Sequence, residues 1–137
     1  MRYLGIDFGS KRIGLSISDE AGDFAFPLSV LPNSEKVLAQ ILQICKEKNI
    51  GEIVIGDSEN FQMQKNEIMK EAEHFAEDLK KVSGLPIWFH PEFMTSQEAE
   101  RLQGKNNMLD ASAAAIILKS FLEIKNNNTD KNPGKIF

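Results

Sequence analysis

The feature that most constrains this chain is a change in hydrophobic period partway along it. Up to Leu31, apolar residues fall in three short strand-like runs, separated by turns rich in glycine, serine and aspartate. From Val37 onward the apolar spacing becomes helical and alternates with short β-branched runs. An antiparallel meander that continues into αβαβ crossovers satisfies both halves. With 137 residues, 42% of them hydrophobic and 26% charged, the chain is sized for one domain with a real core.

Residues 2–7 read as a short buried strand ending in a carboxylate, and Phe8-Gly9-Ser10-Lys11 as a turn. Residues 12–18 alternate apolar with small or polar side chains, the pattern of a second, antiparallel strand. A turn at residues 19–23 leads to a third strand over 24–31, where Pro27 argues for an edge position. Asn33-Ser34-Glu35-Lys36 reads as a helix cap ahead of Val37, Leu38, Ile41, Leu42, Ile44 and Cys45, and Gly51 as the stop. Residues 52–56 form a fourth strand. Beyond Asp57-Ser58-Glu59-Asn60 comes a long helix with the stripe Ile68, Ala72, Phe75, Ala76, Leu79 and Val82, ending near Ser83-Gly84. A fifth strand covers 86–90, Thr95 or Ser96 caps a short helix through Leu102, and Asp110 opens a last helix.

The expected fold class is therefore α/β, a five-stranded mixed sheet in the order β-β-β-α-β-α-β-α-α with helices on both faces. Right-handed crossovers make the first, fourth and fifth strands parallel. The domain is expected over residues 1–124. The run Lys125-Asn126-Asn127-Asn128-Thr129-Asp130 loses periodicity, so residues 125–137 are expected to be a mobile tail.

Composition narrows the function. A net charge of −4 speaks against a protein that coats nucleic acid nonspecifically, because phosphate neutralisation supplies most of that affinity. A nuclease is less constrained, since its centre needs acidic groups. Its cations would be local, with Lys11, Arg12, Lys125, Lys131 and Lys135 as candidates. No apolar run reaches the roughly 18–20 residues that span a bilayer. One cysteine, Cys45, cannot form an internal disulfide, and its place on the apolar side of a helix makes it a core residue. The opening residues lack the pattern of a signal peptide, so a cytoplasmic location is expected.

Asp7 stands at the carboxyl end of an otherwise apolar strand, where α/β sheets collect ligands and where a buried unpaired carboxylate is costly. Asp57 and Glu92 follow the fourth and fifth strands, and Asp110 reaches the same edge if the last helix packs across the first strand. Asp110 is equally a good helix cap. Carboxylates gathered without basic partners repel unless cations lie between them, and all-oxygen donors suit Mg²⁺ or Mn²⁺, two ions in the arrangement expected here. The reaction class implied is metal-assisted phosphodiester hydrolysis. Thr95 and Ser96 read as caps rather than nucleophiles, His90 and the Trp88-Phe89 pair as structural, and His74 as surface.

The run from Leu4 to Asp19, Leu-Gly-Ile-Asp-Phe-Gly-Ser-Lys-Arg-Ile-Gly-Leu-Ser-Ile-Ser-Asp, resembles the opening block of the YqgF/RuvX family. Ile53-Val54-Ile55-Gly56, Glu92 with Thr95-Ser96-Gln97-Glu98-Ala99-Glu100, and Leu109-Asp110-Ala111-Ser112-Ala113-Ala114-Ala115 resemble its later blocks in order, so the similarity spans about residues 3–123. The resemblance implies a ribonuclease H-like fold and a nuclease that resolves Holliday junctions or matures the 5′ end of pre-16S ribosomal RNA, hence a pre-ribosomal particle as partner. It assigns Asp7, Glu92 and Asp110 to the acidic catalytic and metal positions, and Lys11 and Arg12 to a basic turn that contacts substrate phosphates. Two departures stand out. The family usually carries Asp-Glu-Arg where this chain has Pro91-Glu92-Phe93, and Gly-Leu-Pro where it has Gly56-Asp57-Ser58.

Three functions compete. The first is a nuclease acting on structured RNA or branched DNA. The second is a non-catalytic ribosome-assembly factor, suggested by Pro91 and Phe93. The third is an actin-like or sugar-kinase-like ATPase, suggested by Asp7-Phe8-Gly9-Ser10, for which one short domain lacks the second lobe.

Overall fold

The computed structural model describes residues 1–57, 65–91, 109–126 and 135–136. Among them lie β1 (Arg2–Phe8), β2 (Arg12–Ser18), β3 (Ala25–Pro32), α1 (Val37–Glu47), β4 (Ile50–Asp57), α2 (Lys65–Ser83), β5 (Ile87–Pro91), α3 (Leu109–Asn126) and β6 (Lys135–Ile136). The strands form one sheet in the order β3-β2-β1-β4-β5-β6. β1, β2 and β3 pair antiparallel as a meander, while β4 runs parallel to both β1 and β5. The five expected strands and the parallel trio are all present.

Alternation along the strands sorts the core into two layers. Leu4 and Ile6 of β1, Ile13 and Leu15 of β2, and Ile53 and Ile55 of β4 face α1 and α2, which contribute Val37, Ile41, Cys45, Ala72, Phe75, Ala76 and Leu79. The opposite face presents Tyr3 and Val54 to Ile117, Leu118, Phe121 and Leu122 of α3. Each helix therefore covers apolar strand positions of a single parity, and both faces of the sheet are closed.

Four local expectations need correction. Gly51 does not stop α1. Asn49 does, at φ 55°, a left-handed conformation that asparagine tolerates, and Gly51 already lies within β4. No side chain caps the start of α1, and Asn33 is used elsewhere. Val82 is 51% exposed and so does not belong to the apolar stripe of α2; Gly84, at φ 70°, follows. A sixth strand is present: Lys135–Ile136 pairs antiparallel with Trp88 and Phe89 of β5, so this part of the expected tail lies on the sheet edge. Pro27 does mark an edge. It sits in β3 beside a bulge between Leu15 and Ser16, on the strand that borders the sheet.

Candidate active site at the carboxyl edge of the sheet

Asp7 is the sixth residue of β1 and shares the parity of Tyr3 and Gly5, which places it on the α3 face. It is half-buried and pairs with Gly14 of β2, a neighbour with no side chain to crowd it. The path of α3 over this face follows from its contacts. The Tyr3 and Phe121 rings lie 6.0 Å apart, and a Cβ on Gly5 would come within 2.9 Å of Leu118 Cβ and 3.0 Å of the Ala114 carbonyl. Ser16 Oγ donates to that carbonyl at 2.8 Å, fixing the helix over β2. Moving up β1 thus means moving back along α3.

Two residues beyond Gly5, about 6.6 Å along the strand, stands Asp7. One turn before Ala114, about 6 Å along the helix, stands Asp110, the second residue of α3. The backbone therefore carries both positions to the same edge, and the positive end of the α3 dipole points there. The small residues Gly5, Ser16 and Gly56 allow this approach: at Gly56 a Cβ would collide with Ile117 Cδ1.

The other carboxylates stand differently. Asp57 ends β4, two residues past the Ile6–Ile55 pair, and its position has the parity of Ile53 and Ile55, which serve the α1–α2 face. The side chains of Asp57 and Asp110 lie outside the described part. So do Glu92, immediately after β5, and Thr95, Ser96 and the helix expected through Leu102. Among the described residues, no group of three histidine, cysteine or acidic side chains converges as a metal site. The donor type is nevertheless right. What the fold delivers to this edge is a carboxylate at Asp7 and a second carboxylate position at Asp110, hard oxygen donors of the kind Mg²⁺ and Mn²⁺ take.

Lys11, on the turn between β1 and β2, and Arg12, where β2 begins, are both exposed, just past the Asp7-Phe8 end of β1. Asn33, read from sequence as part of a helix cap, instead joins this turn from the far end of β3. Its Nδ2 donates to the Gly9 carbonyl and its backbone N–H to the Lys11 carbonyl, both at 2.9 Å. A partner 24 residues away leaves no local sequence signal.

His90, only 1% exposed, lies 2.9 Å from Ser120 Oγ and edge-on to Phe121, which is a structural placement. Trp88 donates from Nε1 to Glu52 at 2.7 Å, and Phe89 is buried, so that pair is core as expected. Lys125 sits over the Tyr3, Trp88 and Phe121 rings, 3.5 Å from Glu52, and is occupied there. His74 is exposed on α2.

With this geometry established, the decisive comparison is with known families: the model described as "RuvX: Holliday junction resolvase" matches residues 1–124. The chain belongs to the RuvX family. Among its relatives, a Dictyoglomus turgidum protein is 38% identical over 90% of this chain and 94% of its own length. A Lachnospira eligens protein is 32% identical over 91% of this chain and 99% of its own. Both bear the name of a candidate pre-16S rRNA nuclease. Among solved structures, Thermus thermophilus RuvC in complex with a Holliday junction superposes with a TM-score of 0.63, covering 100% of this chain and 99% of that one. At 17% identity that likeness speaks for the fold alone, and the fold of this RuvX chain is ribonuclease H-like.

Proposed function

We propose that this RuvX-family chain is a nuclease that hydrolyses phosphodiester bonds in structured nucleic acid, with the 5′ leader of pre-16S ribosomal RNA as its substrate. The observation that carries the reading is Asp7, a half-buried carboxylate at the carboxyl end of a central parallel strand, beneath the advancing N-terminus of α3. The names of the relatives support the substrate. A pre-ribosomal particle in the cytoplasm is the setting that substrate requires.

In this reading Asp7, Glu92 and Asp110 hold divalent cations, Mg²⁺ or Mn²⁺. Ions of this type, when bound, polarise a phosphate and lower the pKa of a water. The chain's own part is positional. Asp7 is fixed by the pairing of β1 between β2 and β4, Asp110 by the docking of α3, and the dipole of α3 favours negative charge at the edge. Lys11 and Arg12 carry positive charge on the turn beside Asp7, where they orient substrate phosphates.

The test is cleavage of a pre-16S leader RNA and of a four-way DNA junction by the purified chain with Mn²⁺. Cleavage of the RNA with loss of at least about 100-fold in Asp7→Asn is expected. Equal cleavage by Asp7→Asn removes the mechanism, and preference for the junction replaces the substrate. Pro91 and Phe93, in place of the family's charged neighbours of Glu92, favour one further reading, a binding factor without turnover. Tight RNA binding without metal-dependent cleavage would establish it.

A further inference from the structure

We infer that Asn33 is a positioning residue for the basic turn, holding Lys11 and Arg12 where they meet the phosphates of a nucleic acid bound at Asp7; this rests on the nuclease reading above. The β1–β2 turn is short. Gly9 is present because no side chain fits: a Cβ there would stand 2.5 Å from the Arg12 carbonyl oxygen. That close approach folds the turn back on itself and leaves two carbonyls, of Gly9 and Lys11, needing donors.

Asn33 supplies both. Its carboxamide donates to Gly9 and its main-chain N–H donates to Lys11, each at 2.9 Å, so one residue bridges the two sides of the turn. The Arg12–Pro32 pair of β2 and β3 delivers Asn33 to this point, one residue past the end of β3. Half-buried, Asn33 keeps water from competing for the bonds, while Lys11 and Arg12 remain exposed. Asp7 stands two residues before Gly9 on the same strand-to-turn segment. The clamp therefore holds the backbone from which the two cations project, relative to Asp7. A cation contributes more to phosphate binding the less freedom it has left to lose, and a backbone held at both carbonyls removes the main-chain share of that freedom.

The clamp has a specific signature. Asn33→Ala deletes the carboxamide bond and keeps the main-chain one, so the chain still folds. Two measurements on the same protein then separate its role. In ¹⁵N relaxation, the amide order parameters of Gly9, Ser10 and Lys11 should fall from about 0.85 toward 0.6. In RNA binding, the dissociation constant should rise about tenfold and the slope of log K against log[salt] should shrink by about one phosphate contact, while kcat at saturating RNA stays within about twofold. Asn33→Gln, which keeps a carboxamide donor, should recover part of both. Ser34→Ala, which removes only an acceptor for the Lys36 N–H, should match wild type.

A turn that stays rigid in Asn33→Ala, or an unchanged salt slope in a variant whose turn has loosened, overturns the proposal and leaves the nuclease reading standing. A wild-type chain that binds no RNA overturns that reading, and the assignment of Asn33 with it.

Discussion

At the scale of single residues, Asp19 shows what a carboxylate does when its task is local. It closes the β2–β3 turn by accepting the main-chain N–H groups of Asp23 at 2.8 Å and Phe24 at 3.1 Å. Those bonds, Phe24's first and Asp23's next, hold its pKa below the ordinary 3.8. A depressed carboxylate contributes stability that is present above the unfolded value and is lost as pH falls through the folded one. Asp19→Asn keeps an acceptor but cannot titrate, so its melting temperature should change less between about pH 5 and about pH 2 than that of wild type. A thermal melt series against pH checks this; parallel curves would contradict it. Cys45 behaves in the opposite sense. Burial pushes its thiol up to about 11, so iodoacetamide at neutral pH should leave it unmodified in the folded chain and alkylate it in urea. Mass spectrometry reads both states. Residue roles of this kind differ in how far the sequence discloses them. The position of Asp7, at the carboxyl end of a buried strand, was legible from the apolar run before it. Asn33 was not, because its partners Gly9 and Lys11 become neighbours only after β3 returns beside β2.

Among elements, the approach of α3 to the sheet matters most, because it decides whether Asp110 reaches Asp7's edge. The two glycines beneath it differ in what a methyl would strike. At Gly5 the obstacles are Ser16 Oγ, Leu118 Cβ and the Ala114 carbonyl, which are short or main-chain groups that cannot step aside. At Gly56 the nearest atom is the far end of Ile117, which can rotate. Gly5→Ala should cost about 1–3 kcal/mol in urea unfolding, with Gly56→Ala costing clearly less. If the order reverses, α3 is not seated as described. Element types and pairing were readable because they rest on period and on strong local signals such as Pro27. What escaped the sequence was decided by tertiary contact. Asn49 replaced Gly51 as the stop of α1 because β4 claimed Gly51, and Val82, in the last turn of α2, is exposed rather than packed. β6 is two residues long, too short for any period to announce, and exists because β5 otherwise offers an unpaired edge.

For the whole molecule, the question is how an acidic chain of net charge −4 can act on a polyanion. The fold answers by separating tasks. Lys125, one of the cations available from the sequence, is held by Glu52 and three aromatic rings at the α3 C-terminus, and Lys11 and Arg12 stand at the other end of β1, beside Asp7. Attraction is local, and on the proposed reading the carboxylates at this edge must be compensated by ions before a phosphate can approach. That requirement has a thermodynamic consequence independent of turnover. On the proposed reading, carboxylates gathered there without a cation repel one another, and a divalent ion that binds only the folded chain adds stability by mass action. At a Mn²⁺ concentration ten times its dissociation constant the gain is about 1.4 kcal/mol, or roughly 3–5 °C in melting temperature for a chain of this size. On that reading Asp7→Asn should show little or none of the Mn²⁺ shift. Wild type and variant shifting equally would mean that the ion binds elsewhere, whatever the cleavage assay shows.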